Sequence, residues 1–374
     1  MPKLTAENGQ PMEINDYHNS MFTGEVIHEN WVDECAQYLR HIFGDEIAGK
    51  RIVDYGFGRG NWSLAFQKLG AKSVISIEAS QSAADNFQRH LDLHDIRNIS
   101  IQVGNTDQED LELEADIVFL YGIFHHVERP DRLLRSATDW LADANGKVLV
   151  YAYDGGSLRE VLVSACRKLS PSLTQEHGWE FALHPHARHR AVDDLVAPTV
   201  NFWTLDDLLS VVDHAGLDCV AQAKDFAHFQ NRSLTPEFDP YVLILKPKSA
   251  QNDHFEAVPN SHDYADEYEI LGEAVHLIAQ NGDETNNRQL VLGLFNSWFA
   301  GAAPASFESK IFYLWRYLCH VIVSTPVIHE QPIMNERLEV LVNLTRRIHH
   351  EKTDRFESNC LMLKEQIRNG SFRI

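Results

Sequence analysis

An α/β fold is what the amino-acid sequence predicts, and three observations carry that prediction. Between residues 51 and 153, short β-rich runs alternate with segments of helical periodicity, the pattern of parallel strands joined by crossover helices. The run from Asp116 to Tyr121, DIVFLY, is almost wholly apolar, as expected of a strand inside a sheet covered on both faces. A glycine-rich stretch from Val53 to Asn61, VDYGFGRGN, falls where a first strand hands over to a first helix.

The elements follow in order. The first 50 residues read as mainly helical, most clearly Glu29 to Phe43. Arg51 to Asp54 is the first strand, and Asn61 to Leu69 is a helix stopped by Gly70. Ser73 to Glu78 is the second strand, with a helix through about His94; Ile99 to Val103 is the third. The apolar fourth strand leads to a helix around Pro130 to Leu141, and Lys147 to Tyr153 is the fifth strand. About fifty residues rich in His, Pro and Arg then intervene before Thr204 and Asp207 cap a helix ending at Gly216. Residues 217 to 223 and Tyr241 to Leu245 read as a closing pair of strands. The predicted organisation is a helical cap over 1–49, an α/β domain over 50–248 with an insertion at about 155–203, and a helical region over 249–374.

Composition narrows the function. With 374 residues, 44% hydrophobic, the chain can bury one large core or two modest ones. The 33 basic residues against 54 acidic ones give a formal charge of −21, which disfavours nucleic acid as a partner. Five cysteines without a CxxC pair point to reduced thiols and a cytoplasmic location rather than to disulfides or a cysteine zinc site. The opening MPKLTAENGQ lacks the apolar core of a secretory signal, and no apolar run approaches the roughly 18 residues of a spanning helix.

Glycines at 56, 58 and 60 allow a tight turn and a close ligand approach, although the same triplet also serves plain strand-to-helix turns. The spacing is GxGxG after Asp54, not the GxGxxG of dinucleotide sites, because the required sixth position is Asn61. Glu78, at the end of the second strand, is placed to accept both hydroxyls of a ribose. Together these features imply a nucleoside cofactor.

With these residues the sequence resembles the class I S-adenosylmethionine-dependent methyltransferases over about residues 50 to 248. The matching pieces are Asp54-x-Gly56-x-Gly58-x-Gly60, Glu78, the stretch Gly104 to Asp107, and 116 to 134, DIVFLYGIFHHVERPDRLL. The resemblance implies a Rossmann-like seven-stranded sheet with a reversed terminal hairpin, and S-adenosylmethionine as cofactor. It implies that Asp54 and the three glycines shape the methionine site and that Glu78 holds the ribose. Asn105, Thr106 and Asp107 would border the adenine, while Tyr121 and Gly122 would line the methyl-transfer channel.

Methyl transfer needs mainly in-line placement and exclusion of water. A hydroxyl or ammonium acceptor also benefits from a base near neutral pKa, which points to His125 and His126, although either could serve only to pack the loop. Tyr153 and Asp154 are candidates for holding the acceptor, as are His184, His186 and Arg190 of the insertion. The spacing of the insertion histidines matches no metal motif, so no metal is expected. Tyr17, His18, Phe22 and Trp31 either close over the cofactor or form a cap core.

The reading is a methyltransferase acting on oxygen or nitrogen of a small-molecule acceptor, with the C-terminal region covering the site or forming a homodimer. Its rivals are a non-catalytic binding or assembly protein on the same fold, a nucleotide-dependent oxidoreductase and an RNA methyltransferase.

Overall fold

The computed structural model describes residues 27–104, 111–157, 160–161, 163–164, 167, 199–229, 240–249 and 255–259. The chain divides into two compact units, one of Met1–Gly155, Thr199–Leu234 and Asp239–Ser261, the other of Gly156–Pro198, Thr235–Phe238 and His262–Ile374. Only the first unit is described in any detail.

Its elements run α1 (Glu29–Phe43), β1 (Arg51–Tyr55), α2 (Asn61–Lys68), β2 (Ser73–Glu78), α3 (Gln81–Leu93), β3 (Ile99–Val103) and β4 (Ile117–Leu120). A 3-10 turn (Phe124–His126) follows, then α4 (Pro130–Asp139), β5 (Lys147–Ala152), α5 (Leu205–His214), β6 (Leu217–Ala223), a short α6 (Phe226–Phe229) and β7 (Tyr241–Pro247). The strands make one seven-stranded sheet in the order β3-β2-β1-β4-β5-β7-β6. β1 to β5 pair in parallel, whereas β7 runs antiparallel to both β5 and β6. The predicted α/β class and reversed terminal hairpin are therefore both present, and each predicted strand lies within a few residues of its expected place.

Local chemistry explains the element ends. Pro130 opens α4, where its missing N–H costs no intrahelical bond. At α5 the Thr204 hydroxyl accepts from the Asp207 N–H at 3.1 Å, so the predicted cap is formed. Ser80 caps α3 in the same way through the Ala83 N–H. α2 has no side-chain cap: its N-cap is Gly60, in the left-handed conformation that ends the glycine turn.

The core lies on both faces of the sheet. On one face Val53, Val118, Leu120, Val148 and Val150 pack with Leu133 and Leu134 of α4 and Leu208 and Val212 of α5. α1 and α2 cover the other, where Tyr38, Leu39, Phe66 and Phe119 are fully buried. Burying side chains of this size stabilises the fold by about 1.5–3 kcal/mol each, before the entropy of ordering the chain is set against it.

Strand order also positions the site. The chain adds strands outward from β1 to β3, then returns to add β4 on the opposite side of β1. The boundary between β1 and β4 is therefore the switch point, where open α/β sheets place their ligand crevice at the carboxyl edge. No helix among the described residues is long and apolar enough to cross a membrane.

Candidate active site

The glycine turn follows β1 directly, with Gly56, Gly58 and Gly60 at φ of +76°, +56° and +85°. Side-chain-bearing residues rarely adopt these conformations, so the spacing is dictated by the backbone. The glycines nevertheless serve different ends. A Cβ on Gly60 would lie 2.3 Å from the Phe87 ring of α3, and one on Gly56 would lie 2.8 Å from Ile123 in the β4 loop. Those two permit close packing of protein on protein. A Cβ on Gly58 would meet no atom within 4 Å, so this is the position where the turn faces open space and a ligand can approach the backbone. Phe57, bulkier than most residues in such turns, is buried against Phe87 with ring centroids 5.2 Å apart and anchors the turn.

The turn is bonded to β2. Gly56 and Phe57 donate to the Ile77 carbonyl at 2.8 and 3.3 Å. The Glu78 carboxylate accepts the Gly58 N–H at Oε2 (3.1 Å) and the Ser80 N–H at Oε1 (3.2 Å). Burial raises the Glu78 pKa, and backbone N–H donors from Gly58, Ser80 and Ala79 act against that rise. Glu78 thus stands beside the open face of Gly58, and each carboxylate oxygen keeps a second acceptor site for a diol.

Asp54 lies one layer deeper. In register with Ser76 of β2 and Phe119 of β4, it shares their face of the sheet, toward α2. The Ser63 hydroxyl donates to its Oδ2 at 2.5 Å, and Ser63 and Ser76 hydroxyls are 2.7 Å apart. With Asp54 ionised, the Ser63 proton is committed to the carboxylate and Ser76 is the donor to Ser63. Burial pushes Asp54 up to about 7; the Ser63 hydrogen bond opposes this and the charge of Glu78 adds to it.

Across the crevice, Tyr121 follows β4. Its ring stacks on Phe119 at 5.5 Å and packs against Trp62 at 4.8 Å and Tyr151 at 4.5 Å. Its hydroxyl donates to Asp225 Oδ1 at 2.6 Å and accepts the Phe226 N–H at 3.3 Å. The Tyr38 hydroxyl, from α1, donates to the Lys224 carbonyl at 2.6 Å. The segment 224–229 is therefore a strap from the end of β6 to β4 and α1, with Phe226 seated on Tyr38 and Trp62.

The histidines differ. His125 is buried, its ring stacked 3.6 Å from that of Tyr153, itself buried along with Asp154. His126 is half-buried, and its Nδ1 lies 3.1 Å from the Thr199 carbonyl. A carbonyl only accepts, so the Nδ1–H of His126 donates to Thr199. Residues 199–203 hold this turn in place: Asn201 donates its backbone N–H to the His125 carbonyl (2.7 Å) and its side chain to the Val127 carbonyl (2.8 Å).

The structure brings together Asp54, Gly56, Gly58, Gly60 and Glu78 at one end of the crevice. It places Tyr121 beside the turn through Ile123 and Trp62. Asn105, Thr106, Asp107, His184, His186 and Arg190, with Tyr17, His18 and Phe22, lie outside the described residues. Trp31 is half-buried on α1. Sequence reasoning missed Ser63, Trp62, Tyr38 and Asp225. Ser63 was within reach, because an inward hydroxyl one turn into the helix after the glycines can meet the acid of the preceding strand. Asp225 carried no local signal. Among the described residues no group of three or more His, Cys, Asp or Glu side chains is arranged to hold a metal ion.

The residues present suit a cationic nucleoside. Gly58 opens to space, Glu78 offers two acceptor oxygens, and Asp54 supplies a buried carboxylate behind them. Among curated proteins the chain is similar to "Ribosomal protein L11 methyltransferase" of Alteromonas mediterranea, 36% identical over 84 residues that cover 21% of this chain and 27% of that one. It is 27% identical over 126 residues to the protein of that name from Legionella pneumophila strain Lens, covering 32% of this chain and 43% of the relative. The chain thus spans less than half the length of these relatives. Among solved structures it is similar to magnesium protoporphyrin IX methyltransferase from Synechocystis with bound SAH, at TM-score 0.42 and 14% identity, over 63% of this chain and 98% of that one. A Burkholderia thailandensis 1,6-didemethyltoxoflavin-N1-methyltransferase gives a TM-score of 0.41 at 13% identity, over 63% and 85% of the two chains. A family model described as a methyltransferase domain matches residues 28–222, taking in every site element from α1 to β6, and the chain belongs to that family, within the class I S-adenosylmethionine-dependent methyltransferases.

Proposed function

We propose that the protein transfers the methyl group of S-adenosylmethionine to an oxygen or nitrogen of a small-molecule acceptor by in-line displacement. The observation that carries this reading is the carboxyl-edge crevice, where Gly58 is open to space on its Cβ side while its N–H is held by the Glu78 carboxylate. When bound, the cofactor supplies an activated methyl group on a sulfonium, so the protein has to orient, dehydrate and, for some acceptors, remove a proton.

The chain's own residues divide these tasks. Glu78 accepts from the ribose hydroxyls, and the Gly56–Gly60 turn lets the donor lie against backbone. Asp54 places negative charge beside the turn. Trp62, Tyr121 and Tyr151 wall off the reacting end from water. His126, its Nδ1–H bonded to the Thr199 carbonyl, takes the acceptor proton at Nε2. His125, buried on Tyr153, orients the turn and does not exchange protons with substrate. Tyr153 and Asp154 shape the floor beneath that turn rather than reaching into solvent. His184, His186 and Arg190 are proposed to contact the acceptor, on the strength of their polar, cationic chemistry.

Small-molecule acceptors are favoured over nucleic acid by the charge of −21. The names of the curated relatives make a protein acceptor the alternative to test beside them. Calorimetric titration with S-adenosylmethionine, S-adenosylhomocysteine and NADH separates the donor classes. Binding of the first two and not the third supports the reading; a preference for the dinucleotide overturns it. A radiolabelled-methyl assay with pooled phenols, amines and carboxylates, and in parallel with ribosomal protein L11, then distinguishes small-molecule from protein acceptors.

A further inference from the structure

Asp225 belongs to none of the motifs at the crevice, yet it is buried and its Oδ1 lies 2.6 Å from the Tyr121 hydroxyl. Tyr121 packs on Trp62, which directly follows the glycine turn, and lies two residues before Ile123, which a Cβ on Gly56 would strike. Two further bonds fix the strap that carries Asp225: the Phe226 N–H to the Tyr121 hydroxyl, and the Tyr38 hydroxyl to the Lys224 carbonyl. A carboxylate held this way cannot swing out to solvent without breaking the set. We propose that Asp225 is a specificity-determining residue that makes the crevice prefer the cationic sulfonium donor over the neutral thioether product. The inference rests on the donor reading given above.

A buried negative charge is screened weakly, so its field extends across one side chain into the crevice. Tyr121 transmits it: a phenol whose proton is drawn toward a carboxylate has a more electron-rich ring and oxygen, and aromatic faces attract cations. The same charge is among the causes that raise the pKa of both Tyr121 and Tyr38, so it is felt at both phenols. Donor and product share adenosine and methionine parts and differ by one methyl group and one positive charge. A group acting on charge therefore changes their affinity ratio, whereas a group that only supports the fold changes both affinities together.

Asp225→Asn tests this in the full-length protein, because the amide keeps an acceptor oxygen for the Tyr121 hydroxyl and removes only the charge. By calorimetry, affinity for S-adenosylmethionine should fall by about five- to tenfold, the scale of one charge a side chain away at an effective dielectric constant of about 20. Affinity for S-adenosylhomocysteine should stay within about twofold on the same grounds. Equal loss for both ligands, or no loss for either, overturns the proposal and leaves the donor reading standing. A wild type that binds neither ligand removes both. Should the variant not fold, sinefungin, which carries an ammonium where the donor has its sulfonium, serves with the wild type: tighter binding than the thioether supports the proposal, and equal or weaker binding overturns it.

Discussion

The two sides of the crevice are built from different materials. On the β1–β2 side the site is backbone and carboxylate: a glycine turn, Glu78 on two N–H groups, and Asp54 on the Ser63 hydroxyl, itself bonded to Ser76. On the β4–β5 side it is aromatic: Phe119, Tyr121 and Tyr151, packed on Trp62 of α2 and bound to a strap that arrives from β6. The first arrangement fits a ligand whose polar groups must be matched one by one. The second fits a reacting centre that must be kept dry. Under the proposed function, recognition of the donor and shelter of the reaction fall to opposite sides, and substitutions on the two sides should separate them.

The largest effect is expected at Gly58. Gly58→Val forces a β-branched residue to φ +56° and fills the open face, so donor binding should vanish from calorimetry while the far-ultraviolet circular dichroism stays native. Gly60→Ala should do the reverse: its Cβ collides with Phe87 at 2.3 Å, and the cost should appear as roughly 2–4 kcal/mol in urea unfolding. If both variants merely unfold, the distinction between a ligand-facing and a packing glycine is lost.

His126→Ala comes next. It should cut turnover by about 10²–10³ and leave donor affinity unchanged, with the loss concentrated where the acceptor must give up a proton. Normal turnover would remove the base and keep the dry wall. Glu78→Ala should weaken donor binding by about 1–3 kcal/mol, roughly five- to 150-fold, and barely change the rate at saturation. A rate effect without an affinity effect would move Glu78 to the other side of the comparison.

The smallest effect is a pH dependence from Asp54. Its folded pKa, about 7, exceeds the ordinary aspartate value, so the folded state holds a proton that the unfolded state has already released. The stability this contributes is fully present below about pH 4 and is lost as pH rises through 7. Asp54→Asn should therefore unfold at a urea concentration that depends less on pH between 5 and 8 than the wild type does. A cationic donor favours the ionised carboxylate, so binding at pH 6.5 should release protons, measured as a dependence of the binding heat on buffer ionisation enthalpy; no release would place Asp54 out of the donor's field.

Most of the fold was legible because parallel strands buried on both faces must be apolar, and DIVFLY and KVLVYAY have no other use. The placement of Asp54, the glycines and Glu78 was legible too, since they lie on consecutive elements at strand ends. The aromatic side was not. Tyr121 and Asp225 are 104 positions apart, and nothing near Asp225 marks it as a partner of β4. The histidines stood between these cases. Sequence placed both at the end of β4, but which is buried on Tyr153 and which is oriented by Thr199 depends on a segment more than seventy residues later. The second compact unit, with residues 262–374, lay beyond any motif, so homodimer and site-cover roles for it stay expectations from aromatic patterning.

The bond from Tyr38 to the Lys224 carbonyl joins positions 186 apart, and it has a consequence for synthesis. α1 leaves the ribosome before any strand of the sheet, yet the strap that covers its fully buried tyrosine is made after β6. Among the described elements, the first helix translated is thus one of the last to be consolidated, and a nascent chain stopped short of residue 224 carries Tyr38 uncovered on that side.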